Sequence, residues 1–420
     1  MMKSENNPKQ SLKDIAGAIV DCEHKTAPTQ EFGIPLIRTT DIHNGRLDLN
    51  KANRISEDTY RIWSARMTPK PEDIILAREA PVGEVGMVPP NEMVCLGQRT
   101  VLIRIDKRKA DPKFVLYLLC SPEMKYEMIS RASGSVVPHL NMSDVRTLPL
   151  PELPDKLKQE QIGNILGTLD DKISLNSKMN KTLEAIGQTI FKHWFTDFEF
   201  PNEEGKSYRS SGGEMTYNEE LEKEIPKGWI VEDLGELIVR NRDKIDNKKN
   251  WENENIIDLS TMPQFSICLS SFQEGKKFDS NVFRLNEMDI LFGSIRSYFG
   301  KVGFSPIYGV VTGTIFSYLP KTKNHYAFVL FLTSSREFID FTVRFSKGTK
   351  MPVISWDDFC SYKIVIPPND DIFASHNQIT MSLLDKIKSN IHQSRNLIQI
   401  RDLLLPKFMS GKISVPVEAN

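Results

Sequence analysis

The sequence predicts a protein of the α/β (α+β) class, built from two tandem globular domains that are each followed by a long helix. Three observations predict this fold. One stretch of sequence recurs at a nearly constant spacing, short Val- and Ile-rich runs alternate with Gly and Pro turns in both halves, and each half ends in a long helical pattern. We expect the two helices to pair with each other as a coiled coil.

The composition is that of a folded protein outside the membrane. The chain has 420 residues, of which 40% are hydrophobic, and five scattered cysteines without a Cys-x-x-Cys motif. No apolar stretch reaches the ~18 to 20 residues of a membrane span, and the polar N-terminal residues contain no secretory core. We therefore expect a soluble, cytoplasmic protein whose cysteines are reduced structural thiols.

The formal net charge of −1 argues against a protein that coats nucleic acid without specificity. The balance is uneven along the chain: residues 1–150 and 226–368 each carry +2, residues 369–420 carry +1, and residues 151–225 carry −6. Local basic faces on the globular domains remain compatible with this distribution.

A duplication sets the domain organisation. Residues 71–88 and 287–304 both place Asp-Ile before an apolar run and a Gly-x-Val-Gly turn, and equivalent positions elsewhere, such as Gly134 and Gly348, lie 214 residues apart. Proline-rich exits at 148–154 and 364–368 end both globular parts, because proline cannot continue a sheet ladder or a helix. We predict domains at 1–150 and 226–368, helical regions at 151–200 and 369–420, and an acidic polar linker at 201–225.

Secondary structure follows from the local patterns. Apolar β-branched runs predict strands at 34–37, 74–76, 100–105 and 310–318, and helical spacing predicts helices at 114–131 and 326–345 that cover the sheets. Trp229, after the linker, is predicted to be a core anchor.

Both long helices carry a seam with alternating steps of four and three residues, which predicts helix pairing. The seam residues that we assign to helix pairing and partner docking are Ile162, Leu166, Leu169, Ile173, Asn176, Leu183, Ile190, Leu383, Ile387, Asn390, Leu397 and Leu404. Asn176 and Asn390 are equivalent by the offset and would set the register. The alternatives are that each helix packs only on its own domain and that each asparagine is an exposed surface amide.

The sequence contains no catalytic or metal-binding motif. It lacks a Walker phosphate loop, a dinucleotide fingerprint, a Gly-x-Ser-x-Gly elbow, and histidines at metal-ligand spacing. What recurs beside glycine in both halves is a set of Arg, Lys, Gln, Thr and Tyr side chains, which can bond base edges or phosphates. The DNA-binding candidates are Arg38, Thr39, Arg78, Gln98, Arg99, Lys107, Lys109, Lys276, Arg296, Tyr298, Lys301, Lys347 and Lys350. Any one of them, taken alone, is more often an ordinary solvated charge, and only their parallel placement in both halves favours DNA binding.

With these features in order, the chain resembles the specificity subunit of type I restriction-modification systems. The resemblance is carried by residues 33–49 (GIPLIRTTDIHNGRLDL), the two Asp-Ile segments with their Gly-x-Val-Gly turns, residues 134–154 (GSVVPHLNMSDVRTLPLPELP), residues 161–173 (QIGNILGTLDDKI) and the linker through IPKGW. It covers nearly the whole chain. One departure is that no Pro-x-Gly-Trp precedes Leu12 as it precedes Leu234.

The resemblance implies a non-catalytic subunit with two target-recognition domains, each reading half of a bipartite double-stranded DNA sequence. It implies that two antiparallel helices hold these domains apart as a coiled coil with pseudo-two-fold symmetry. It also implies two modification (methyltransferase) subunits docked on the helices and restriction (translocase/endonuclease) subunits in the full complex. S-adenosylmethionine, ATP and Mg²⁺ would be bound by those partners, and no cofactor by this chain. The competing interpretation is a non-DNA scaffold that bridges protein partners, which the near-neutral charge favours slightly.

Two hypotheses follow from this reading. The first helix, predicted over residues 162–191 and about 45 Å long at ~1.5 Å per residue, would act as a ruler between half-sites, so that four residues inserted at Asn176 lengthen the spacer. In the second, Gln98, Arg99, Arg296 and Tyr298 lie near bases, and Lys107, Lys109, Lys276 and Lys347 lie near phosphates.

Overall fold

The computed structural model describes residues 10–134, 137–246, 251–275 and 281–415. Contacts divide the chain into two compact units, Met1–Asp171 with Leu397–Asn420, and Lys172–Asn396. Each unit therefore takes part of both long helices. Within the described residues, no helix is both long and apolar enough to cross a membrane.

The first unit is built on a four-stranded antiparallel sheet of order β1-β9-β6-β7. A smaller sheet of order β5-β2-β8 and a β3-β4 hairpin lie beside it in the fold. The strands are β1 Ala16–Asp21, β2 Ile34–Ile37, β3 Ile42–His43, β4 Arg46–Leu47, β5 Asn53–Ile55, β6 Ile74–Ala77, β7 Val85–Met87, β8 Cys95–Leu96 and β9 Thr100–Ile105. The strands predicted at 34–37 and 100–105 are confirmed.

Helices cover one face of this sheet and close the core. They are α1 Leu12–Ile15, α3 Pro112–Cys120, α4 Pro122–Arg131, α5 Met142–Arg146 and the N-terminal part of α6 Lys156–Phe191, whereas α2 Glu57–Trp63 packs against the smaller sheet. Buried side chains of β6 and β9 pack with α3 and with Ile162 and Leu166 of α6. The long helix is thus part of the core of the globular fold.

The second unit repeats this plan with a sheet of order β13-β21-β18-β19. A five-stranded mixed sheet has the order β14-β17-β20-β15-β16, and β12-β22 and β10-β11 form two-stranded sheets. The strands are β10 Met215–Asn218, β11 Lys223–Pro226, β12 Ile230–Asp233, β13 Ile238–Arg240, β14 Lys244–Ile245, β15 Asn255–Ile257, β16 Gln273–Glu274, β17 Val282–Leu285, β18 Ile290–Gly293, β19 Val302–Phe304, β20 Gly309–Thr312, β21 Ile315–Pro320 and β22 Lys363–Ile366.

The helices of the second unit are α7 Tyr326–Ser334, α8 Arg336–Phe345, α9 Trp356–Cys360 and α10 Asp371–Met409. Helix α6 continues into a π-helical turn at Lys192–Thr196. An aromatic core surrounds Phe195, which contacts Trp229, Phe328 and Phe373 with ring centroids 4.7 to 6.2 Å apart. Trp229 is buried, as predicted.

Three predicted elements were wrong in their extent. The helix predicted at 114–131 is two helices, because Ser121 adopts an extended conformation, as a residue before proline favours, and caps α4 by accepting from the Met124 amide. The helix predicted at 326–345 breaks likewise at the N-cap Ser335. The single strand predicted at 310–318 is β20 and β21, which belong to different sheets.

The segment predicted as an acidic linker at 201–225 is also structured. It contains β10 and most of β11, paired from Met215↔Pro226 to Asn218↔Lys223. The Tyr208 ring stacks on Phe200 at 4.6 Å, and Phe200 stacks on Trp229 at 4.9 Å. A few aromatic contacts thus order a stretch that has no hydrophobic period.

The two long helices pair in antiparallel orientation, which confirms the predicted coiled coil. Helix α6 has 36 residues and α10 has 39. In the first unit Asp170 of α6 bonds Arg401 of α10, and in the second unit Asn180 bonds Asn390. Residue numbers rise along one helix as they fall along the other. At ~1.5 Å per residue, α6 is about 54 Å long, longer than predicted from 162–191.

Candidate nucleic-acid interface

The seam of the coiled coil contains a buried amide cluster. The Asn176 side-chain amide donates to Ser394 Oγ (3.1 Å) and Gln393 Oε1 (3.0 Å), and the Asn390 amide donates to Asn180 Oδ1 (2.8 Å). Asn176 is 0% exposed and Asn390 is 2% exposed, so neither is a surface amide. Since Asn180 and Ser394 are equivalent by the offset of 214, the two bonds are a pseudo-symmetric pair. Buried polar pairs of this kind fix register.

The remaining seam residues lie on the same faces of the two long helices as the amide cluster. Ile162, Leu166 and Ile387 are buried, whereas Leu169, Ile173, Leu183, Ile190, Leu383, Leu397 and Leu404 are half-buried. Half-burial leaves part of this stripe accessible. The role of these residues in partner docking stays a prediction.

Each unit anchors a long helix to its globular part through a different junction. In the first unit, the Asp170 carboxylate accepts from Tyr117 Oη (2.8 Å) and Arg401 Nη1 (2.8 Å). The equivalent positions in the second unit are Leu384, Phe331 and Gly187, and a Cβ on Gly187 would lie 2.3 Å from Phe331 Cζ. A charged triad in one unit is therefore an apolar contact in the other.

A second helix anchor exists in the second unit. The buried Glu184 carboxylate of α6 accepts from the Ile267 amide and from Ser266 Oγ, both at 2.8 Å. Burial raises the pKa of Glu184, and these hydrogen bonds oppose that shift. Its equivalent in the first unit is Ile398, so only the second unit can tie its 266–268 loop to the helix in this way.

Sequence reasoning missed Asp170 and Glu184. Asp170 and Glu184 each follow a seam position, Leu169 and Leu183, and lie two heptads apart. Acidic residues flanking a seam at heptad spacing were the available signal.

Five candidate residues of the first unit meet at one edge of its main sheet, where β1 and β6 end and β9 begins. Arg78 N donates to Arg99 O (2.8 Å), Thr39 Oγ1 donates to Ala80 O (3.2 Å), and Gln98 Nε2 donates to His24 O (3.2 Å). We name Arg38, Thr39, Arg78, Gln98 and Arg99, together with Ser133, Gly134 and His139 of the neighbouring loop, the first edge surface.

The members of the first edge surface differ in how much they can offer a ligand. Arg99 is 56% exposed and pairs with Glu79 (3.0 Å), and Arg38 is 43% exposed and bonds Asp41. Arg78 is only 11% exposed and pairs with Asp21 (3.0 Å). Thr39 is buried. Arg38 and Arg99 are thus the more exposed arginines of this surface, each already paired with a carboxylate, while Arg78 and Thr39 support the loop.

Lys107 and Lys109 lie at the opposite edge of the same sheet, after β9 has ended. Lys107 pairs with Glu72, and Lys109 donates to Asp14 O (2.8 Å). Six residues of β9 at ~3.4 Å each separate these lysines from Arg99 by about 20 Å. The structure does not bring them together with the first edge surface.

The second edge surface occupies the equivalent place in the second unit, after β18. It comprises Arg296, Tyr298 and Lys301, with Lys347 and Lys350 on the neighbouring loop. Ile354 N donates to Ser294 O (3.0 Å) and joins the two loops, as Leu140 N joins Arg78 O (3.0 Å) in the first unit, and Arg296 N donates to Pro352 O (2.7 Å) beside it. Tyr298 is 44% exposed and Lys347 is 86% exposed, whereas Lys301 donates to Leu259 O. Lys350 is exposed, and Lys276 lies outside the described residues.

Both edge surfaces contain residues with a positive φ angle, a backbone conformation that residues other than glycine rarely adopt. Arg99 (φ 67°) and Arg296 (φ 51°) are left-handed, and Ala80, which matches Arg296 in the duplication, has φ 36°. Gly134 and Gly348 have φ 109° and 107°, in equivalent turns. Strained backbone of this kind concentrates at ligand-binding sites.

Asp21, Cys22 and His24 bring potential metal-ligand atoms within 4.8 Å of one another. Arg78 Nη1, however, lies 3.0 Å from Asp21 Oδ2, so a guanidinium already supplies the positive charge beside this carboxylate. We assign no metal to this cluster.

A family model described as the type I restriction modification DNA specificity domain matches the chain twice, over residues 11–185 and 226–401. The MjaIX type I restriction enzyme specificity subunit of Methanocaldococcus jannaschii is 29% identical over 427 residues, covering 97% of this chain and 93% of that relative. The HindI specificity subunit of Haemophilus influenzae is 24% identical over 365 residues, covering 72% of this chain and 77% of the relative.

The fold is similar to the crystal structure of a type I restriction-modification system S subunit from M. genitalium. The TM-score is 0.60 with 16% identity, over 97% of this chain and 98% of the other. At that identity the likeness concerns the fold alone.

Proposed function

The chain belongs to the type I restriction-modification DNA specificity family, as a non-catalytic specificity subunit, and from this premise we propose that its two units each read one half of an asymmetric, bipartite DNA sequence. The observation that carries the proposal is the pair of edge surfaces. They are built at equivalent places from loops of the same design, yet their side chains differ. A chain with diverged pseudo-equivalent halves suits two different half-sites, as a symmetric dimer suits a palindrome.

The chemistry of the edge surfaces supports direct reading of bases. Arg99 and Gln98 in the first unit can bond guanine and adenine edges, and Arg296 and Tyr298 stand at the matching place in the second. Lys347 and Lys350 are exposed beside them, where phosphates would lie. Lys107 and Lys109 lie far from this edge, so any phosphate contact they make belongs to DNA outside the half-site.

The partners follow from the family. We propose that two modification (methyltransferase) subunits dock on the long helices and that restriction (translocase/endonuclease) subunits complete the assembly in the cytoplasm. S-adenosylmethionine, ATP and Mg²⁺ would be bound by those partners, in keeping with the absence from this sequence of a phosphate loop or dinucleotide motif.

The test of the edge surfaces compares Arg99→Ala with Lys347→Ala in the assembled methyltransferase. Loss of Arg99 should relax one position of the first half-site by about 1 to 3 kcal/mol of discrimination, seen by mapping methylated adenines. Loss of Lys347 should weaken binding to all sequences and reduce the salt slope by about 1. If Arg99→Ala leaves the methylated sequence and affinity unchanged, the first edge surface is not the reading surface.

The second candidate function is a protein scaffold without DNA contact, which the net charge of −1 favours. The two functions differ in their salt response. Sequence-specific retention on DNA that falls steeply between 50 and 200 mM salt supports recognition, whereas retention that is absent or independent of sequence supports the scaffold.

A further inference from the structure

Glu79 lies beside the first edge surface, in an ion pair with one of its arginines. Arg99 Nε is 3.0 Å from Glu79 Oε2, and the two side chains are 56% and 21% exposed. Among the residues that the structure describes, Arg99 is the only ion-pair partner of Glu79. A carboxylate beside a DNA-binding surface costs affinity, because DNA phosphates repel it. Its presence there therefore needs a reason.

The fold does not require this ion pair, because the second unit builds the same loops without it. Two backbone contacts of the first unit recur in the second and align the two: Glu79↔His139 with Ile295↔Val353, and Arg78 N to Arg99 O (2.8 Å) with Ser294 N to Thr314 O (3.1 Å). By this alignment Ile295 replaces Glu79, and Thr314 replaces Arg99. Both charges of the pair are thus absent together from the second unit.

The backbone at Arg99 is also strained in the first unit alone. Arg99 has a φ of 67°, in the left-handed region, whereas the φ of its counterpart Thr314 is not positive. The strand junction can therefore be built without this strain. Strain that accompanies the ion pair, and not the junction, is typical of a position that serves a ligand.

The other two carboxylates that pair with arginines of this surface have structural roles. Asp41 is 3% exposed and accepts from the Arg38 amide at 2.9 Å, which closes a turn of the backbone. Asp21 pairs with Arg78, whose side chain is only 11% exposed. Of the three acids, Glu79 alone holds an arginine that is more than half exposed.

The two side chains of the pair have opposite hydrogen-bonding capacities. A guanidinium only donates, and it can bond both O6 and N7 of guanine in the major groove. A carboxylate only accepts, and it can bond the N4 amino group of cytosine. An arginine and a glutamate in contact with each other therefore match the two bases of one G·C pair. An A·T pair suits them less, because adenine offers the guanidinium fork N7 as a single acceptor.

We propose that Glu79 is a specificity-determining residue of the first unit, and that Glu79 and Arg99 together read one G·C base pair of the first half-site. Arg99 donates to the guanine, while Glu79 accepts from the paired cytosine and rejects a base that places an oxygen there. The second unit, with Ile295 and Thr314, reads no base pair in this way. This inference rests on the proposed function, which makes the first edge surface a reading surface.

The experiment compares Glu79→Gln with Arg99→Gly in the methyltransferase assembled from the full chain and its modification subunits. Mapping methylated adenines gives the recognised sequence, and binding to duplexes with each base pair of the first half-site replaced in turn gives the discrimination. Both variants should relax the same G·C position, by about 10-fold to 100-fold. Both should fold, because glutamine keeps the shape of Glu79 and glycine adopts a positive φ without strain.

Binding to an unrelated duplex separates reading by Glu79 from mere support of Arg99. Glu79→Gln removes a negative charge and should raise this non-specific affinity by about 2-fold to 5-fold, whereas Arg99→Gly should lower it. Glu79→Gln should also relax the position further when residue 99 is already glycine, because the cytosine contact does not need the arginine. Glu57→Gln is the matched control, since Glu57 pairs with Arg61 on α2 at 3.8 Å, and it should leave the recognised sequence unchanged.

The outcomes distinguish this inference from the proposed function. If Glu79→Gln changes neither the G·C position nor the non-specific affinity while Arg99→Gly relaxes that position, Glu79 is only an ion-pair partner, and the proposed function stands without it. A relaxed position other than G·C would also overturn the inference. If neither variant alters any position, the first edge surface does not read DNA, and the proposed function fails for this unit.

Discussion

At the scale of single residues, His376 is a titratable group buried in apolar surroundings. It is 0% exposed on α10, neither ring nitrogen has a hydrogen-bond partner in the described part of the chain, and the rings of Phe191, Trp194 and Phe195 lie 5.0 to 6.4 Å away. Burial lowers the pKa of His376 from 6.5 to about 4. The imidazole is therefore neutral in the folded chain at neutral pH.

This burial predicts acid sensitivity. The imidazole of His376 takes up a proton near pH 6.5 in the unfolded chain but only near pH 4 in the folded chain. The free energy of unfolding that this group contributes is therefore fully present above pH 6.5 and is lost as the pH falls from 6.5 towards 4. Between pH 7.5 and 5 the loss from this group should be about 2 kcal/mol. Urea unfolding at both values should show a smaller loss for His376→Leu, while His193→Leu, an exposed control, should behave as the unmodified chain. Equal losses in all three would contradict the prediction.

The sequence predicted which residue types recur beside glycine, but not which of them can reach a ligand. Arg78 and Arg99 look alike in sequence, yet Arg78 pairs with Asp21 at 11% exposure while Arg99 remains 56% exposed. Lys107 and Arg99 are eight residues apart in the chain and at opposite edges of the sheet, because the whole of β9 lies between them. These outcomes depend on strand order and long-range pairing, which local patterns do not contain.

At the scale of elements, the close approach of Gly187 to Phe331 predicts opposite effects at two glycines of the same helix. Alanine at Gly187 would place Cβ 2.3 Å from Phe331 Cζ, whereas at Gly167 the nearest atom is 4.0 Å away. Gly167→Ala should stabilise the chain by up to about 1 kcal/mol through helix propensity. Gly187→Ala should destabilise it by about 1 to 2 kcal/mol, since overpacking exceeds that gain. Denaturant unfolding of the two variants measures whether each substitution raises or lowers the free energy of unfolding. Stabilisation by both substitutions would disprove the close contact at Gly187.

The junction of Tyr117, Asp170 and Arg401 predicts strong coupling. Asp170 is 6% exposed and Arg401 17% exposed, so Arg401→Ala leaves a buried carboxylate without its cation and should cost about 3 kcal/mol. The triple variant Tyr117→Phe, Asp170→Leu, Arg401→Gly copies the apolar junction of the second unit and should recover most of that loss. A double-mutant cycle on Asp170 and Arg401 measures the coupling. Additive effects would show that the three side chains act independently.

Pairing of the long helices could be predicted because it depends on a heptad repeat visible within each helix, whereas their antiparallel orientation was predicted from the family resemblance. The break at Ser121 was signalled by Pro122, which the prediction from apolar spacing overlooked. The break at Ser335 has no such signal, because helical apolar spacing continues across this serine while its capping hydrogen bond starts the next helix. The hairpin of β10 and β11 was missed for a related reason: its order comes from Tyr208 stacking on Phe200, a contact between residues outside both strands.

At the scale of the whole molecule, the duplication predicted two similar units, but not that each unit would include parts of both helices. Residues 156–171 of α6 and 397–409 of α10 belong to the first unit, and the remainder of both helices belongs to the second. The boundaries at 150 and 368 stay a prediction drawn from proline exits. The end of α10 can be assigned to the first unit only when the residues against which it packs are known. Those contacts join residues more than 200 positions apart in the sequence, such as Asp170 and Arg401.

The ruler hypothesis can now be tested where it disturbs the fewest contacts. Four residues at Asn176 would break the amide cluster and shift one helix only, so insertions should enter both helices, between residues 172 and 173 and between 396 and 397. These points leave the Asn176 cluster and the Asp170 junction intact. Three heptads in each helix preserve the seam and add about 32 Å at ~1.5 Å per residue. That length approximates one DNA turn of ~34 to 36 Å.

The variant with three added heptads should therefore methylate the same two half-sites with a spacer longer by about 9 to 10 base pairs. A variant with one added heptad is the control: it lengthens the helices by about 10 Å, which would place the second half-site on another face of the duplex, so methylation should be weak at every spacer. Mapping methylated adenines in cells that carry each variant with its partner subunits checks both. An unchanged spacer in the longer variant would mean that the helices do not set the distance between half-sites.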